Sequence, residues 1–184
     1  MLDAGAGGRE RERLMSSTAA KIFVASAPPL ARIRICGRGA VERARDFDQM
    51  VRCLIEGGVR NIFIDLAGCV LLDSTFIGAL AGLAEEKTDD QPRIRFHLVN
   101  APNRILDGLA NLEVLDLMTV GGDFTALSDL PEIELPLQNV TRKEAGELCL
   151  QAHRTLMDLS PANRERFQSL VRMLSSELDG NGPR

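Results

Sequence analysis

Three small polar residues, Asp73, Ser74 and Thr75, stand between the apolar run 69–72 and the apolar run 76–84. We refer to these three residues as the joint. Asp, Ser and Thr are the side chains that cap helices, so one of them would satisfy the free backbone amides of a helix that begins here. Capping requires only one of the three. Because the joint follows a strand-like segment, it should also lie at the carboxyl edge of an α/β sheet, where working residues are usually found.

A catalytic serine is the first functional hypothesis for the joint. A nucleophilic serine on a strand-to-helix turn usually stands in a GxSxG motif, and Ser74 lacks both glycines. His97 alternates along an apolar strand pattern, and His153 is expected on the polar side of a C-terminal helix. Each is more typical of a surface or structural histidine than of a catalytic base. The sequence therefore does not predict an enzyme, and we expect no catalytic residues.

Phosphate loops, metals and cofactors are not indicated either. The segments 37–39 and 121–123 contain glycines but match neither a P-loop nor GxGxxG. Asp65 and Asp73 are two carboxylates, but nothing at a defined spacing completes a metal site with them. The chain has no CxxC pair, and its cysteines lie far apart, at Cys36, Cys53, Cys69 and Cys149. We expect these cysteines to be buried small hydrophobic residues, and we expect no metal and no cofactor.

Composition and charge narrow the range of partners. The chain has 184 residues, 45% of them hydrophobic, and a formal net charge of −4, which argues against non-specific nucleic-acid binding. The longest nearly pure apolar run, 76–84, is far shorter than the roughly 20 residues that span a bilayer. Residues 1–14 carry charges without the apolar core of a signal peptide. We therefore expect a cytoplasmic protein without a membrane span.

The pattern of apolar residues predicts an α/β domain that positions the joint. Short runs rich in β-forming residues alternate with segments of helical periodicity, which favours a mixed β-sheet of four to five strands with covering helices. The predicted strands are residues 21–25, 30–35, 61–66, 94–99 and 116–120, with helices between them. The predicted organisation is a flexible leader at 1–19, a domain at 20–125, a linker at 126–139 and a helical hairpin at 140–180.

Two amphipathic helices are predicted after the linker. Thr141 and Glu144 have the spacing of a capping box, and Ser160 before Pro161 is a cap followed by proline at the first helical position. Apolar residues recur on one face of each helix, and the short connection favours an antiparallel hairpin. A hairpin of this size cannot bury both apolar faces alone. It should pack on the sheet domain, on a second copy of the chain or on a partner protein.

Residues 64–84, IDLAGCVLLDSTFIGALAGLA, resemble the signature of STAS-domain proteins of the anti-sigma factor antagonist type. In that family a strand ending in D-[LV]-[ST] leads through a short loop to D-S-[ST]-G-[LIVM]-G and a helix. The GGVRN turn at 57–61 and the segment 97–120 are also similar to the family's elements, so the resemblance covers about residues 20–125. It implies the STAS fold for this region, followed by a C-terminal two-helix extension.

The resemblance also implies a mechanism. In the family the second hydroxyl residue of the motif, which is Thr75 here, is phosphorylated by a partner serine kinase that doubles as an anti-sigma factor. Unphosphorylated protein binds that kinase and frees the sigma factor, phosphorylated protein dissociates, and a metal-dependent phosphatase restores it. A shift of one residue in the register makes Ser74 the phosphoacceptor instead. A helix N-terminus tolerates a phosphate, because the helix dipole and the free amides point toward it.

The same resemblance implies a partner-binding face around the joint. Leu71, Leu72 and Phe76 would supply apolar contacts to the partner. Asp73 would cap the helix and orient the hydroxyls, and the loop at Arg38 should lie near the same edge. A phosphate added beside this face would oppose binding through desolvation and charge repulsion.

One position departs from the family's motif. Phe76 replaces the glycine that follows the phosphorylated residue, whereas Gly78 fits the second glycine. Either Phe76 serves as an interface anchor, or the switch is altered and the protein binds its partner constitutively.

Two other functions stay open. The first is a non-phosphorylated STAS scaffold or adaptor that assembles a signalling or transport complex, or a homodimer, through the C-terminal helices. The second is a small α/β hydrolase, which predicts ester turnover that is lost in Ser74→Ala. Phosphate transfer distinguishes the switch from the scaffold.

Overall fold

The computed structural model describes residues 19–86 and 94–180. Its strands are β1 (Lys21–Ala27), β2 (Leu30–Gly39), β3 (Asn61–Asp65), β4 (Cys69–Leu72), β5 (Arg95–Val99), β6 (Thr119–Val120) and β7 (Ile133–Glu134). Its helices are α1 (Val41–Glu56), α2 (Ser74–Glu85), α3 (Asn103–Asn111), α4 (Arg142–Leu159) and α5 (Pro161–Leu178). The predicted leader at 1–19 lies outside the described residues, except for Ala19.

One mixed sheet carries the seven strands of the described part of the chain. The strand order is β6–β5–β3–β2–β1–β7, and β4 pairs with the last residues of β2. β1 is antiparallel to β2 and β7, and the other pairs are parallel. The predicted mixed sheet with covering helices is confirmed, with β4 and β7 as two strands beyond the predicted number. The last predicted strand shortens to Thr119–Val120, because a 3₁₀ turn occupies Leu115–Leu117.

Alternate side chains of the long strands face the helices and build the core. Ile22 on β1, Ile33 on β2, Ile64 on β3 and Leu98 on β5 are at most 1% exposed. Helices α1, α2 and α3 pack on this face. Side chains alternate with a period of two along a strand, so the residues between them lie on the opposite face.

The opposite face of the sheet is partly covered by residues 121–137, which we call the strap. Phe124 and Leu127 of the strap pack against Phe63 of β3 in a small second apolar cluster. The strap also contributes β7, which pairs with β1. Most of the segment predicted as a linker, 126–139, therefore lies on the sheet.

Three arginines of the sheet domain fix the strap. Arg32 Nη2 lies 2.6 Å from Glu132 Oε1, and Arg34 binds the same carboxylate. Arg43 of α1 donates to the Leu135 carbonyl oxygen at 2.8 Å. These contacts join residues far apart in sequence, and they hold the strap against the strands and α1.

Helices α4 and α5 form an antiparallel hairpin that packs on α2 of the same chain. Thr141 and Glu144 make the predicted capping box, and Ser160 caps α5. Ala152 on the α2 side of α4 is 4% exposed. The two-helix extension is confirmed. Of the three surfaces on which it could pack, it packs in this structure on the sheet domain of its own chain.

Within residues 19–86 and 94–180, no helix combines the length and the apolar character that crossing a membrane would require.

Candidate functional site

Asp73 caps helix α2 and ties its start to helix α1. Its Oδ1 accepts from the backbone N–H of Phe76 at 2.8 Å, and its Oδ2 accepts from that of Val41 at 3.2 Å. Its own N–H donates to the Gly39 carbonyl oxygen at 2.9 Å. Burial raises the pKa of the Asp73 carboxyl, while the two amides act in the opposite direction. Asp73 thus fills the capping role, and neither hydroxyl of the joint is needed for it.

The Ser74 hydroxyl is hydrogen-bonded to His153 of helix α4. The distance from Ser74 Oγ to His153 Nε2 is 2.9 Å, and His153 Nδ1 lies 2.7 Å from the Cys149 carbonyl oxygen. Because a carbonyl oxygen only accepts, the imidazole proton is assigned to Nδ1, and Nε2 accepts from the serine. The joint and the C-terminal hairpin therefore meet at this bond, across 79 positions of sequence.

The expectation that His153 lies on the polar side of its helix is wrong. His153 is 2% exposed, and its ring stands edge-on to Phe167 of α5 with the ring centroids 4.8 Å apart. Helical spacing contains the signal, since His153 stands four residues after Cys149 and three before Leu156, both on the apolar stripe. A histidine can share such a stripe when its nitrogens bond to neighbouring groups.

Leu72, Thr75 and Phe76 lie in the interior rather than on a partner-binding face. Their exposed fractions are 6%, 5% and 0%. The Phe76 ring packs against Phe47 of α1, with the ring centroids 4.9 Å apart. Gly39 makes room for this packing, because a Cβ there would stand 2.6 Å from Leu72 Cδ2 and 3.3 Å from the Phe76 ring. The structure gives Leu72 and Phe76 core roles in place of the contact roles expected for them.

Arg38, Val70 and Leu71 form an exposed surface beside the joint, which we call the β4 patch. Val70 and Leu71 are 54% and 42% exposed, and Arg38 pairs with Leu71 across the β2–β4 ladder. Arg104 of α3 donates to the carbonyl oxygens of Cys69 and Val70 at 2.7 and 3.0 Å. Leu71 and Arg38 lie where they are expected. The sequence did not indicate Val70 as a surface residue, because β4 has two successive outward residues in place of strict alternation.

The Ser74–His153 pair has the groups of a nucleophile and its base and the hydrogen bond between them. His153 itself is buried. The main cavities within the described residues are lined by neither side chain. The part of the chain that the structure describes also has no group of three His, Cys, Asp or Glu side chains that could hold a metal ion. The pair acts as a contact between two elements.

No protein-family model matches the chain, and no curated protein matches it. One solved structure that is similar to this chain is described as "Structure of the Anti-Sigma Factor Antagonist SpoIIAA in its Unphosphorylated Form". The match covers 57% of this chain and 91% of that chain, with 16% sequence identity and a TM-score of 0.48. A likeness at this level carries no information about phosphorylation or partners.

Proposed function

We propose that this chain is a cytoplasmic anti-sigma factor antagonist whose partner binding is switched by phosphorylation at the joint. The partner is an anti-sigma factor that is also a serine kinase, and a phosphatase reverses the modification. One observation carries the proposal: Ser74 and Thr75 begin helix α2 directly beside the exposed β4 patch. The motif resemblance of residues 64–84 supplies the class of partner.

The position of the joint makes a phosphate compatible with helix α2. Both hydroxyls lie in the first turn of α2, where the helix dipole and the free backbone amides favour a negative charge. A phosphate carries about −1.5 to −2 charges at neutral pH and three acceptor oxygens. The N-terminal turn of α2 accommodates that charge better than the middle or the end of a helix would.

The same phosphate opposes a partner bound on the β4 patch. Val70 and Leu71 offer an apolar contact, and a partner that covers them also approaches Ser74 a few residues further along. A charge at that border must lose water when the partner binds, which costs affinity. A phosphate also competes with acidic groups of the partner for Arg38. The modification therefore changes partner binding rather than the fold.

Two hydroxyls compete for the role of phosphoacceptor. The family's register assigns it to Thr75, whose side chain is buried. Ser74 is only half-buried, and its hydroxyl is bonded to His153. Solvent exposure therefore favours Ser74 as the phosphoacceptor, whereas alignment with the family's motif favours Thr75.

The deciding experiment is an intact-mass measurement after incubation with ATP and candidate serine kinases of the anti-sigma factor type. We expect the wild type to gain the mass of one phosphoryl group. Of the variants Ser74→Ala and Thr75→Val, the one that lacks the phosphoacceptor should not gain it, and the other should. Far-UV circular dichroism of each variant checks that it folds. A kinase that binds the chain but never phosphorylates it would contradict the switch.

A scaffold that binds its partner without phosphorylation is the second candidate, and one observation favours it. Both hydroxyls are covered in this structure, Thr75 by burial and Ser74 by its bond to His153. A scaffold needs the β4 patch and not the hydroxyls. It predicts that Ser74→Ala and Thr75→Val bind the partner as the wild type does, and that ATP leaves both the mass and the affinity unchanged.

A further inference from the structure

We propose that the hairpin of α4 and α5 is an intramolecular lid over the Ser74 hydroxyl of the joint, and that it must leave α2 before Ser74 can be phosphorylated. The inference rests on the function proposed above and adds its regulation.

The lid occupies the hydroxyl that a kinase would use. A phosphoacceptor must offer its oxygen to the γ-phosphate in line and its proton to the kinase's catalytic carboxylate. The Ser74 hydroxyl is instead donated to His153 of α4, which is 2% exposed, and Thr75 is 5% exposed. The Ser74 oxygen cannot meet a kinase while α4 is in place.

Helix α4 packs very close to α2 one turn after the joint. A Cβ on Gly78 would stand 2.4 Å from the carbonyl oxygen of Ala152 and 2.8 Å from its Cβ. One turn further along α2, a Cβ on Gly82 would stand 3.8 Å from Thr155, which is an ordinary contact distance. Because glycine has no side chain, position 78 allows α4 to pack closely on α2.

An open groove borders the contact between the lid and α2. Its volume is about 470 Å³, it runs between α1, α2 and α4, and Ala79, Leu83, Gln151 and Thr155 are among its lining residues. Solvent therefore reaches the edge of this contact. We expect the hairpin to leave α2 at a lower free energy than the one at which the sheet domain unfolds.

Two polar contacts at the ends of the hairpin complete the closed state. Arg45 of α1 binds Glu144 near the start of α4 at 2.7 Å, with both side chains partly exposed. Asn163 Nδ2 near the start of α5 donates to the Leu112 carbonyl oxygen at 2.8 Å. These polar contacts add to the apolar packing of the hairpin, in which Leu156 of α4 and Phe167 of α5 are buried in the main core.

A hinge for the lid lies between the strap and α4. The strap is held to the sheet by β7 and to α1 by Arg43, which donates to the carbonyl oxygens of Leu135 and Pro136. Gln138 and Asn139, which follow these residues, are exposed. Rotation at this connection moves the hairpin and leaves the strap in place.

Phosphorylation and lid closure should exclude each other. Ser74 Oγ lies 2.9 Å from the His153 ring nitrogen, and the ring is buried, so the closed lid leaves no space for a phosphate on that oxygen. A modification that only the open form accepts must shift the chain toward the open form, by thermodynamic linkage.

The first test places phosphoserine at position 74 of the full chain during translation, so that no kinase is needed. Opening is measured as the rate at which a maleimide labels half-buried Cys149, next to His153, relative to exposed Cys53, with peptide mass spectrometry separating the two. We expect Cys149 to react at least about tenfold faster than in the unmodified chain. An unchanged rate would overturn the lid. A slower rate would overturn it too, because the phosphate would then be strengthening the contact between α2 and α4.

The second test opens the lid without changing the joint. Gly78→Ala adds a methyl group where α4 leaves no room for it, and the matched control Gly82→Ala adds the same group where there is room. We expect Cys149 labelling and the phosphorylation rate both to rise about tenfold in Gly78→Ala and to stay at the wild-type level in Gly82→Ala. Ala152→Leu crowds the same point from the lid and repeats the test if Gly78→Ala does not fold.

The failures of the lid and of the switch are distinguishable. Faster Cys149 labelling with an unchanged phosphorylation rate would overturn the lid and leave the switch. An unchanged labelling rate in both Gly78→Ala and Ala152→Leu would show that close packing at Gly78 does not hold the hairpin on α2, and it would overturn the lid. A chain that takes up no phosphate in any variant, open or closed, would overturn the proposed function.

Discussion

At the scale of single residues, Asp73 connects three parts of the molecule. Its carboxylate accepts from the backbone amides of Phe76 in α2 and Val41 in α1, and its own backbone N–H donates to the Gly39 carbonyl oxygen in β2. The first turn of α2, which carries both hydroxyls, is therefore fixed relative to β2 and α1. This bonding holds the joint beside the β4 patch.

Asp73→Ala should lower the free energy of unfolding by about 1–2 kcal/mol, because the helix loses its cap and the Val41 amide loses a partner. Asp73→Asn is the control, since asparagine caps helices as well as aspartate does. Urea denaturation followed by far-UV circular dichroism suits a chain that has no Trp and no Tyr. Equal stability of Asp73→Ala and the wild type would contradict the capping role.

The chemistry around the joint is only partly encoded in its own sequence. The cap at Asp73 could be predicted, because capping depends on backbone amides within the next few residues. The bond from Ser74 to His153 could not, because it joins residues 79 positions apart and depends on how α4 docks. The burial of Phe76 depends in the same way on Phe47 of another helix.

At the scale of elements, a buried arginine of α1 pairs with a carboxylate of the same helix and binds the strap. Arg43 Nη1 lies 2.6 Å from Asp46 Oδ2, and the two side chains are 2% and 0% exposed. Burial lowers the pKa of Arg43, and the charge of Asp46 acts in the opposite direction. Arg43 also binds the carbonyl oxygens of Leu135 and Pro136. One side chain therefore compensates a buried carboxylate and holds the strap.

We predict that Arg43→Met costs about 3–5 kcal/mol of unfolding free energy, because it leaves the Asp46 carboxylate buried without a counter-charge. Arg52→Met is the control on the same helix, where a partly exposed arginine pairs with Asp48 at 2.9 Å and with Glu86 at 2.8 Å. Losing these two exposed pairs should cost no more than about 1–2 kcal/mol. Urea denaturation of both variants compares the two costs, and similar losses would contradict the buried role of Arg43.

The strap should lose part of its attachment in acid. Hydrogen bonds from Arg34 hold the pKa of Glu132 below its ordinary value of 4.5, with Arg32 acting in the same direction. A carboxyl with a lowered pKa stabilises the fold above its ordinary pKa, and this contribution disappears as the pH falls from 4.5 through the lowered value.

Wild type should therefore exceed Glu132→Gln in urea midpoint at neutral pH, and the difference should shrink as the pH falls below 4.5. The control is Glu134→Gln, which removes an exposed pair with Lys21 on the same strap. We expect it to follow the wild type closely at every pH. A difference between wild type and Glu132→Gln that stays constant with pH would contradict the ion-pair account.

The helices could be predicted from the sequence more fully than the strands. Helices α4 and α5 begin where their caps indicate, because Thr141 and Ser160 act on amides a few residues away. Strand β4 could not be predicted from the apolar pattern, because Val70 and Leu71 both face outward and break the alternation. Strand β7 has two residues, too few to show any period, and forms only because β1 offers a free edge.

At the scale of the whole molecule, the sheet domain carries the strap on one face and the helices, including the hairpin, on the other. The β4 patch, the joint and the hairpin meet at one end of α2. In the proposed switch, a partner on the β4 patch, a phosphate on the joint and the closed hairpin would compete for neighbouring space. Such a switch needs no change in the sheet domain.

We predict that Leu71→Asp weakens partner binding by at least about tenfold, because it places a charge at the centre of the apolar contact. Stability should change little, since Leu71 is 42% exposed. Ile133→Asp is the control, because Ile133 is 74% exposed on β7, away from β4 in the sheet order. Affinity is measured by titration calorimetry with the kinase found in the mass assay. Equal affinities for Leu71→Asp and the wild type would remove the β4 patch from the interface.

The most direct test of the central claim is the affinity of that kinase for the unmodified chain and for the chain phosphorylated at its mapped hydroxyl. Calorimetric titration of both forms, with circular dichroism showing the same fold, isolates the effect of the phosphate. The switch predicts that phosphorylation weakens binding by at least about tenfold, because the charge must be desolvated beside the β4 patch. Equal affinity of the two forms would contradict the switch and leave a scaffold.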